Sequence, residues 1–171
     1  LEKDKKAAAD RAAASSGYMA TPQDGDSVEF RVMSTCRWGY EVWYDYKDED
    51  GSDRRGCARW DAESLMEGGF EEPPAEEVPE GCATRKDGSP MIKTFMAMVV
   101  WNYKEERFQI WSFTQVSLRE QFQKACENPR YGDPRGYDFE WSRTGKELKT
   151  VHTLMALPPE PTADEITESY A

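Results

Sequence analysis

Alternation of apolar and polar residues predicts five strands in the first two thirds of the chain. Residues 28–34, VEFRVMS, and residues 37–47, RWGYEVWYDYK, alternate with the two-residue period that sends successive side chains to opposite faces of a sheet. Residues 54–60, RRGCARW, return as a strand after a DEDGSD turn. Residues 94–115 form a hairpin that turns at residues 103–106, and both of its arms are rich in rings and branched side chains.

The last third of the chain adds one helix and two strands. Residues 117–127, SLREQFQKACE, open with a Ser/Glu capping box at Ser117 and carry an apolar stripe at helical spacing. NPRYGDPRG ends the helix, and strands follow at residues 137–143 and 148–157. This order predicts an all-β class fold with a single helix, namely a small antiparallel barrel, closed or partly closed, of the OB-fold type.

Polar segments divide the chain into three parts. Residues 1–20 are alanine-rich and too short for a stable isolated helix, which predicts a flexible segment. Residues 21–159 form the OB-fold domain, into which residues 61–90 insert a solvated acidic loop whose EEPPAEEVPE stretch excludes a central strand. Residues 160–171 form an acidic, proline-led C-terminal tail.

The net charge of −11 is concentrated in two short segments. Residues 61–80 and 160–171 hold twelve acidic side chains and no basic one, and the remainder of the chain is close to neutral at +1. An acidic protein is a poor candidate for binding phosphates. That objection weakens here because the acidic residues are confined to a loop and a tail.

Cysteine and histidine spacing argues against a metal site. The four cysteines are at least 21 residues apart, and His152 is the single histidine. Zinc ligands usually occur in close pairs, so four reduced thiols in a reducing compartment are favoured over a zinc site built from three cysteines and the histidine. The cysteines are Cys36, Cys57, Cys82 and Cys126.

Other classes of function find little support. No apolar run reaches the roughly 18 residues of a membrane span, and no signal peptide is visible, so we expect a cytoplasmic protein. The chain has neither a phosphate-cradling glycine motif nor a Ser–His–Asp arrangement in a suitable context. We therefore expect no enzymatic activity, no cofactor and no membrane partner.

Aromatic side chains suggest a binding surface. On the 37–47 strand, the even positions predict a core face, and the odd positions predict a charged face that contains the indole of Trp43. This indole could stack on a ligand, or it could pack against the core or a loop. Stacking of bases on exposed rings beside arginine and lysine is the usual mode of sequence-tolerant single-stranded nucleic acid binding. The even positions are Trp38, Tyr40, Val42, Tyr44 and Tyr46.

Several motifs resemble one family. The VVWNY strand, the TQ before the helix, the GDP…YD element and the following R-x-G turn together resemble tailed-phage single-stranded DNA-binding proteins. The resemblance covers about residues 28–159, and the sequence departs from it in the acidic 61–80 loop and the alanine-rich start. It implies an OB-fold, sequence-tolerant binding of single-stranded DNA without catalysis, and a role in phage DNA replication, recombination or repair inside the infected host cell.

Candidate site residues follow from these patterns. Trp101 and Trp111 lie on opposite faces of the hairpin, so at most one meets DNA. Arg54, Arg55 and Arg59 suit phosphate contacts, with ion pairs to the acidic residues of 48–53 as the alternative. The nucleic-acid-binding candidates are Arg37, Tyr40, Trp43, Lys47, Arg54, Arg55, Arg59, Trp60, Lys93, Trp101, Tyr103, Arg107 and Trp111. The tail candidates for binding phage or host replication proteins are Asp164, Glu165, Glu168 and Tyr170.

Two other functions stay open at this level. The chain could be an acidic protein-interaction or DNA-mimicking module that binds a basic partner, with its rings packed inward. It could also bind single-stranded RNA, because a contact to the 2′-hydroxyl has no sequence signature. Sequence also leaves the oligomeric state open.

Overall fold

The computed structural model describes residues 17–171. The predicted flexible segment at residues 1–20 therefore lies mostly outside the described residues. Seven strands are present: β1 Ser27–Val32, β2 Arg37–Lys47, β3 Asp53–Asp61, β4 Lys93–Asn102, β5 Arg107–Phe113, β6 Asp138–Thr144 and β7 Val151–Ala156. Three α-helices accompany them: α1 Ala62–Glu67, α2 Val116–Glu127 and α3 Asp164–Tyr170.

The strands form an antiparallel open sheet, and the chain divides into two compact units. Unit 1 comprises the described residues up to Cys36 together with Ala97–Ala171, and its strand order is β5-β4-β1-β6-β7. Unit 2 is Arg37–Met96, with the order β3-β2-β4. The predicted β-rich antiparallel class is confirmed. The sheet does not close into a barrel, and the OB-fold stays a prediction.

The core of unit 1 is aromatic. Phe30 on β1 packs between Trp111 and Phe139, with ring centroids 4.7 Å and 5.7 Å away. Helix α2 covers this cluster through the buried side chains of Leu118 and Phe122. The helix begins one residue earlier than predicted, and Gln115 occupies its N-cap without a side-chain cap, so the predicted Ser117 capping box does not form.

Helix α2 also blocks the outer edge of β7. The side-chain amide of Gln121 donates to the carbonyl of His152 at 3.0 Å and accepts from the backbone N–H of Leu154 at 2.8 Å. Both backbone groups of β7 point away from β6. They lie on the edge at which another strand would have to pair with β7 to close a barrel. Gln121 thus takes the place of a strand, which explains why this end of the sheet stays open.

Replacing Gln121 with alanine should destabilise unit 1 and expose this edge. Two buried or half-buried hydrogen bonds are lost, which corresponds to about 1–3 kcal/mol of unfolding free energy. Since the unpaired edge can accept another strand, we also expect concentration-dependent self-association. Urea denaturation and sedimentation would measure both effects, and unchanged stability with a monomeric variant would contradict this role.

A buried ion pair anchors the C-terminal segment on unit 1. Arg31, with a side chain only 1% exposed, donates from Nε to Asp138 at 2.7 Å. Its Nη1 donates to the carbonyl of Glu160 at 2.9 Å and to the hydroxyl of Thr162 at 3.0 Å. Residues 160–171, predicted as an acidic tail, are therefore held against unit 1 at Glu160 and Thr162 and continue into α3.

Unit 2 is built on the β2–β3 hairpin. Its register pairs Gly39 with Asp61 at one end and Lys47 with Asp53 at the other. Asp61 caps α1 by accepting from the backbone N–H groups of Glu63 and Ser64. The predicted 61–90 loop thus begins with a short helix, which the sequence pattern missed because only Ala62 and Leu65 bury apolar surface.

The remainder of this loop lies along β2. The backbone N–H of Asp45 donates to the carbonyl of Gly81 at 3.1 Å, and that of Ala83 donates to the carbonyl of Trp43 at 2.8 Å. A small hairpin follows, closed by a bridge between Thr84 and Pro90. The acidic segment is therefore attached to the strand that carries the candidate rings.

Candidate nucleic-acid interface

The odd-numbered face of β2 presents Trp43 as predicted. Its side chain is 40% exposed, and the guanidinium carbon of Arg55 lies 5.0 Å from the centre of the indole ring. Cys57 is directly opposite Trp43 across the hairpin, and Asp45 is opposite Arg55. A small neighbour leaves one side of the indole accessible, and the arginine provides a positive charge beside it.

Most other cations of the hairpin are paired with acids. The pairs are Arg37 with Asp61 at 3.8 Å, Lys47 with Asp53 at 3.1 Å, Arg54 with Asp48 at 2.8 Å, and Arg59 with Glu41 at 2.8 Å. Three of these pairs join β2 to β3, and Arg54 bonds to the turn that precedes its strand. The ion-pair alternative to Asp48–Asp53 is thus present for Arg54, whereas Arg59 pairs with Glu41, which the alternative did not include.

Arg59 belongs to a half-buried cluster. Its guanidinium lies 4.6 Å from the ring centre of Phe95, and Glu41, its ion-pair partner, is buried. The thiol of Cys57 donates to the same carboxylate oxygen at 3.3 Å. Burial, and then this hydrogen bond, raise the pKa of the Cys57 thiol. These groups stabilise the hairpin, so Arg59 is a weaker candidate for phosphate binding than predicted.

The even-numbered face of β2 is more exposed than a core face. Trp38 is 45% exposed and Tyr46 is 46% exposed, whereas Val42 between them is fully buried. Trp38 packs edge-on against Tyr40 with centroids 5.9 Å apart, and Tyr44 packs against Tyr46 at 5.7 Å. The prediction of a core face is wrong at its two ends, because alternation shows which side chains share a face but not what covers them.

Trp38 and Tyr46 were not among the predicted site residues. Tyr46 offered a signal, since it lies at the end of its strand beside Lys47 and the polar DEDG turn, where covering structure is scarce. Trp38 offered a similar signal at the other end, beside Arg37. Rings at strand ends are better candidates for exposure than rings at strand centres.

Trp60, a predicted platform, is half-buried and already has a partner. It faces Tyr40 across the hairpin, and its indole N–H donates to Glu77 at 3.0 Å. Glu77 belongs to the short 3-10 turn Ala75–Glu77 of the acidic loop. The acidic loop therefore contacts a candidate aromatic platform at this residue.

Candidates in unit 1 divide into buried and half-exposed residues. Trp111 is 0% exposed and belongs to the core, so it presents no ring face to a ligand. Trp101 is half-exposed and packs edge-on against Phe108 at 4.9 Å, which in turn contacts the ring of Tyr170 at 5.4 Å. The sequence did not show whether Trp101 or Trp111 could meet DNA, and of the two only Trp101 has ring surface available to a ligand.

Tyr103 and Arg107 lie at the turn of the β4–β5 hairpin in unit 1. The Tyr103 hydroxyl donates to Asp138 at 2.8 Å, which makes this residue part of the buried ion-pair network. Arg107 is half-buried, and its Nε and Nη2 have no hydrogen-bond partner within residues 17–171. Because these two atoms are buried, they present no accessible donor to a ligand, and Tyr103 serves the fold.

The pKa of Tyr103 makes its structural role testable. Burial, and then its hydrogen bond to Asp138, raise the pKa of the Tyr103 phenol from 10.0 to about 12. The folded state favours the neutral phenol, so its contribution to stability is complete below pH 10 and is lost as the pH rises to about 12. In this window the unfolding free energy of Tyr103→Phe should fall less steeply with pH than that of the unmodified protein. Equal slopes in urea titrations would contradict the assignment.

The tail candidates belong to α3. Asp164 and Glu165 lie in its first turn, where negative charge favours the helix dipole. Ile166 is buried and Tyr170 rests on Phe108, while Glu168 is exposed. The segment is docked on unit 1, so only its outward side is available to a partner. Lys93, the remaining candidate, is exposed at the start of β4 in unit 2.

Within residues 17–171, no group of three or more histidine, cysteine or acidic side chains is arranged to hold a metal ion. No disulfide joins the four cysteines, all of which lie in this range. None of the helices in the same range has the length and apolar character that a membrane crossing requires.

No protein-family model, no curated protein and no solved structure matches this chain. Its function is therefore inferred from the geometry of the hairpin and the chemistry of its side chains.

Proposed function

We propose that this protein binds single-stranded DNA without sequence preference, through base stacking on the β2–β3 hairpin. The observation that carries the proposal is Trp43, an indole 40% exposed with the Arg55 guanidinium 5.0 Å from its centre. Every base has a ring face, so an exposed indole accepts any base, and an adjacent arginine adds a phosphate contact or a second stacking plane. Trp38 and Tyr46 expose rings on the opposite face of β2, so a strand that stacks on Trp43 does not stack on them at the same time.

Stacking, more than charge, would supply the affinity. Each stacked base contributes about 1–3 kcal/mol, so two or three rings suffice for useful binding. The ion pairs of Arg37, Lys47 and Arg54 reduce the positive field of the hairpin. We therefore infer few phosphate contacts and a shallow salt dependence, with a slope of log affinity against log salt of about −2 or less in magnitude.

We also propose that the chain is related to tailed-phage single-stranded DNA-binding proteins and acts in replication, recombination or repair. The support is the group of VVWNY, GDP…YD and R-x-G motifs. Several of these residues have structural roles in unit 1. Asn102 accepts from the backbone N–H groups of Lys104 and Glu105 at the hairpin turn, and Asp138 pairs with Arg31. A family that keeps these motifs would keep this fold.

A salt titration with labelled strands tests the proposal. Fluorescence anisotropy would compare oligo-dT, oligo-rU and duplex DNA at several salt concentrations. Tighter binding to oligo-dT than to duplex, with the shallow slope given above, is the expected result. Failure to bind any single strand would reject the proposal, and tighter binding to oligo-rU would replace DNA by RNA as the ligand.

The exposed acids favour one alternative function. In the part of the chain that the structure describes, only two acidic side chains of residues 61–80 bond to side chains that need a partner. Asp61 pairs with Arg37, and Glu77 accepts from the indole N–H of Trp60. The others, exposed on the loop, could meet a basic protein. Binding of a polylysine peptide by a protein that ignores oligo-dT would support this acidic interaction module instead.

A further inference from the structure

Unit 2 contains a cavity of about 330 Å³ beside the aromatic face of β2. Tyr40 forms one wall, and Pro73 and Pro90 contribute apolar surface. Glu72 and Arg85 provide a carboxylate and a guanidinium at the lining. The volume lies at the lower end of the range of about 300–1,000 Å³ for ligand sites, which suits a single nucleobase or nucleotide.

Two local structures hold the charged groups at this cavity. The backbone N–H of Arg85 donates to the carbonyl of Ser89 at 2.8 Å within the small hairpin of residues 83–91. Its Nη2 donates to the carbonyl of Ile92 at 3.0 Å, which leaves its other N–H groups available. Glu72 precedes two prolines, which restrict the backbone there. Within residues 17–171, neither charged side chain is part of an ion pair, so each keeps its capacity for a ligand.

The two charged groups match the hydrogen-bonding pattern of guanine. A carboxylate only accepts hydrogen bonds, and guanine presents two adjacent donors, N1–H and the 2-amino group, on its Watson–Crick edge. An arginine fork suits the O6 and N7 acceptors of the same base. Adenine and cytosine each place an acceptor next to their amino group, and thymine offers a single donor between two carbonyls. A carboxylate therefore discriminates against all three.

We propose that this cavity is a guanine subsite, in which Glu72 binds the Watson–Crick edge, Arg85 binds O6 and N7, and Tyr40 packs against the ring. The inference rests on the proposed function and deepens it, since it adds one base-selective position on the face of β2 opposite Trp43. The same chemistry would accept a guanine within a DNA strand or a free guanine nucleotide. Selectivity arises because every other base leaves the carboxylate facing an acceptor or only one donor.

Oligo-dT strands with one central substitution test the strand arm. We expect a strand with one central guanine to bind about tenfold more tightly than strands with adenine or cytosine there. Hypoxanthine, which lacks the 2-amino group, should give an intermediate affinity. Glu72→Gln should abolish the preference without affecting binding to plain oligo-dT, whereas Glu76→Gln, a matched change on the same exposed loop, should preserve it. Tight but equal binding of the guanine, adenine, cytosine and plain oligo-dT strands, together with no specific binding of dGMP, would overturn the subsite and leave the proposed function intact.

Free nucleotides test the second source of the ligand. Calorimetric titration with dGMP should give binding that dAMP does not give and that Glu72→Gln removes. Binding of dGMP by a protein that ignores every single strand would support the subsite and reject the proposed function. Absence of a guanine preference in both arms would overturn the subsite.

Discussion

Replacing Trp43 with alanine is expected to weaken binding of oligo-dT by about 5- to 150-fold, the equivalent of one lost stacking platform of about 1–3 kcal/mol. The guanidinium carbon of Arg55 lies 5.0 Å from the centre of the half-exposed Trp43 indole, so removal of the indole also deprives Arg55 of this contact. Because the side chain is 40% exposed, the fold should tolerate the change. Anisotropy titrations of both proteins at one salt concentration would measure the effect.

Two neighbouring arginines provide a matched control for this result. Arg55 lies over the indole, whereas Arg54 is bonded to Asp48. Arg55→Ala should weaken binding clearly, Arg54→Ala should weaken it much less, and Trp43→Phe should retain part of the affinity because a ring remains. If Trp43→Ala binds oligo-dT as tightly as the unmodified protein, Trp43 is not a platform.

Replacing Asp138 with alanine is expected to destabilise the protein by about 3–5 kcal/mol. The change leaves the Arg31 guanidinium buried without its counter-charge and removes the acceptor for the Tyr103 hydroxyl. Arg31 also holds Glu160 and Thr162, so the C-terminal segment should loosen together with the core. Chemical denaturation followed by near-UV circular dichroism would measure the loss.

An exposed pair in the same unit is the control for this prediction. Arg135 bonds to Asp133 at 2.6 Å, with both side chains about half exposed. Arg135→Ala should leave the unfolding free energy nearly unchanged, because solvent screens exposed pairs. Equal effects of Asp138→Ala and Arg135→Ala would show that the buried pair has no special role in stability.

Strand positions could be predicted because they depend on local patterns. Alternation over residues 37–47 predicts β2 with its observed ends, and the turn at residues 103–106 lies between β4 and β5 as expected. Each of these segments carries its own signal in neighbouring residues. The short helix α1 has almost no such signal, since its main determinant is the Asp61 cap that also ends β3.

Burial could not be predicted in the same way, because it depends on distant segments. Trp101 and Trp111 have equal intrinsic preferences, and the sequence places them on opposite faces without saying which face is covered. Trp111 is buried because Phe30 and Phe122 pack against it, and these residues lie 81 positions before it and 11 positions after it. The docking of the C-terminal segment was unpredictable for the same reason, since it depends on Arg31, which is distant in sequence.

The sequence predicts an exposed ring at the candidate site, but it does not predict how much positive charge is available there. An indole among charged residues on β2 indicates Trp43, and the structure places it half-exposed beside Arg55. The ion pair between Arg59 and Glu41 depends on cross-strand register, so composition alone overestimates the positive charge available to phosphates. The cavity at Tyr40 also escapes the sequence, since it forms where the loop returns to β2.

Photo-cross-linking tests the central claim most directly. A strand of oligo-dT carrying iodouracil in place of some thymines would be bound, irradiated, and the attached peptides mapped by mass spectrometry. Stacking on the hairpin predicts cross-links within β2, first of all at Trp43. Cross-links confined to residues outside 37–61, at saturating strand, would contradict the hairpin as the DNA-binding surface.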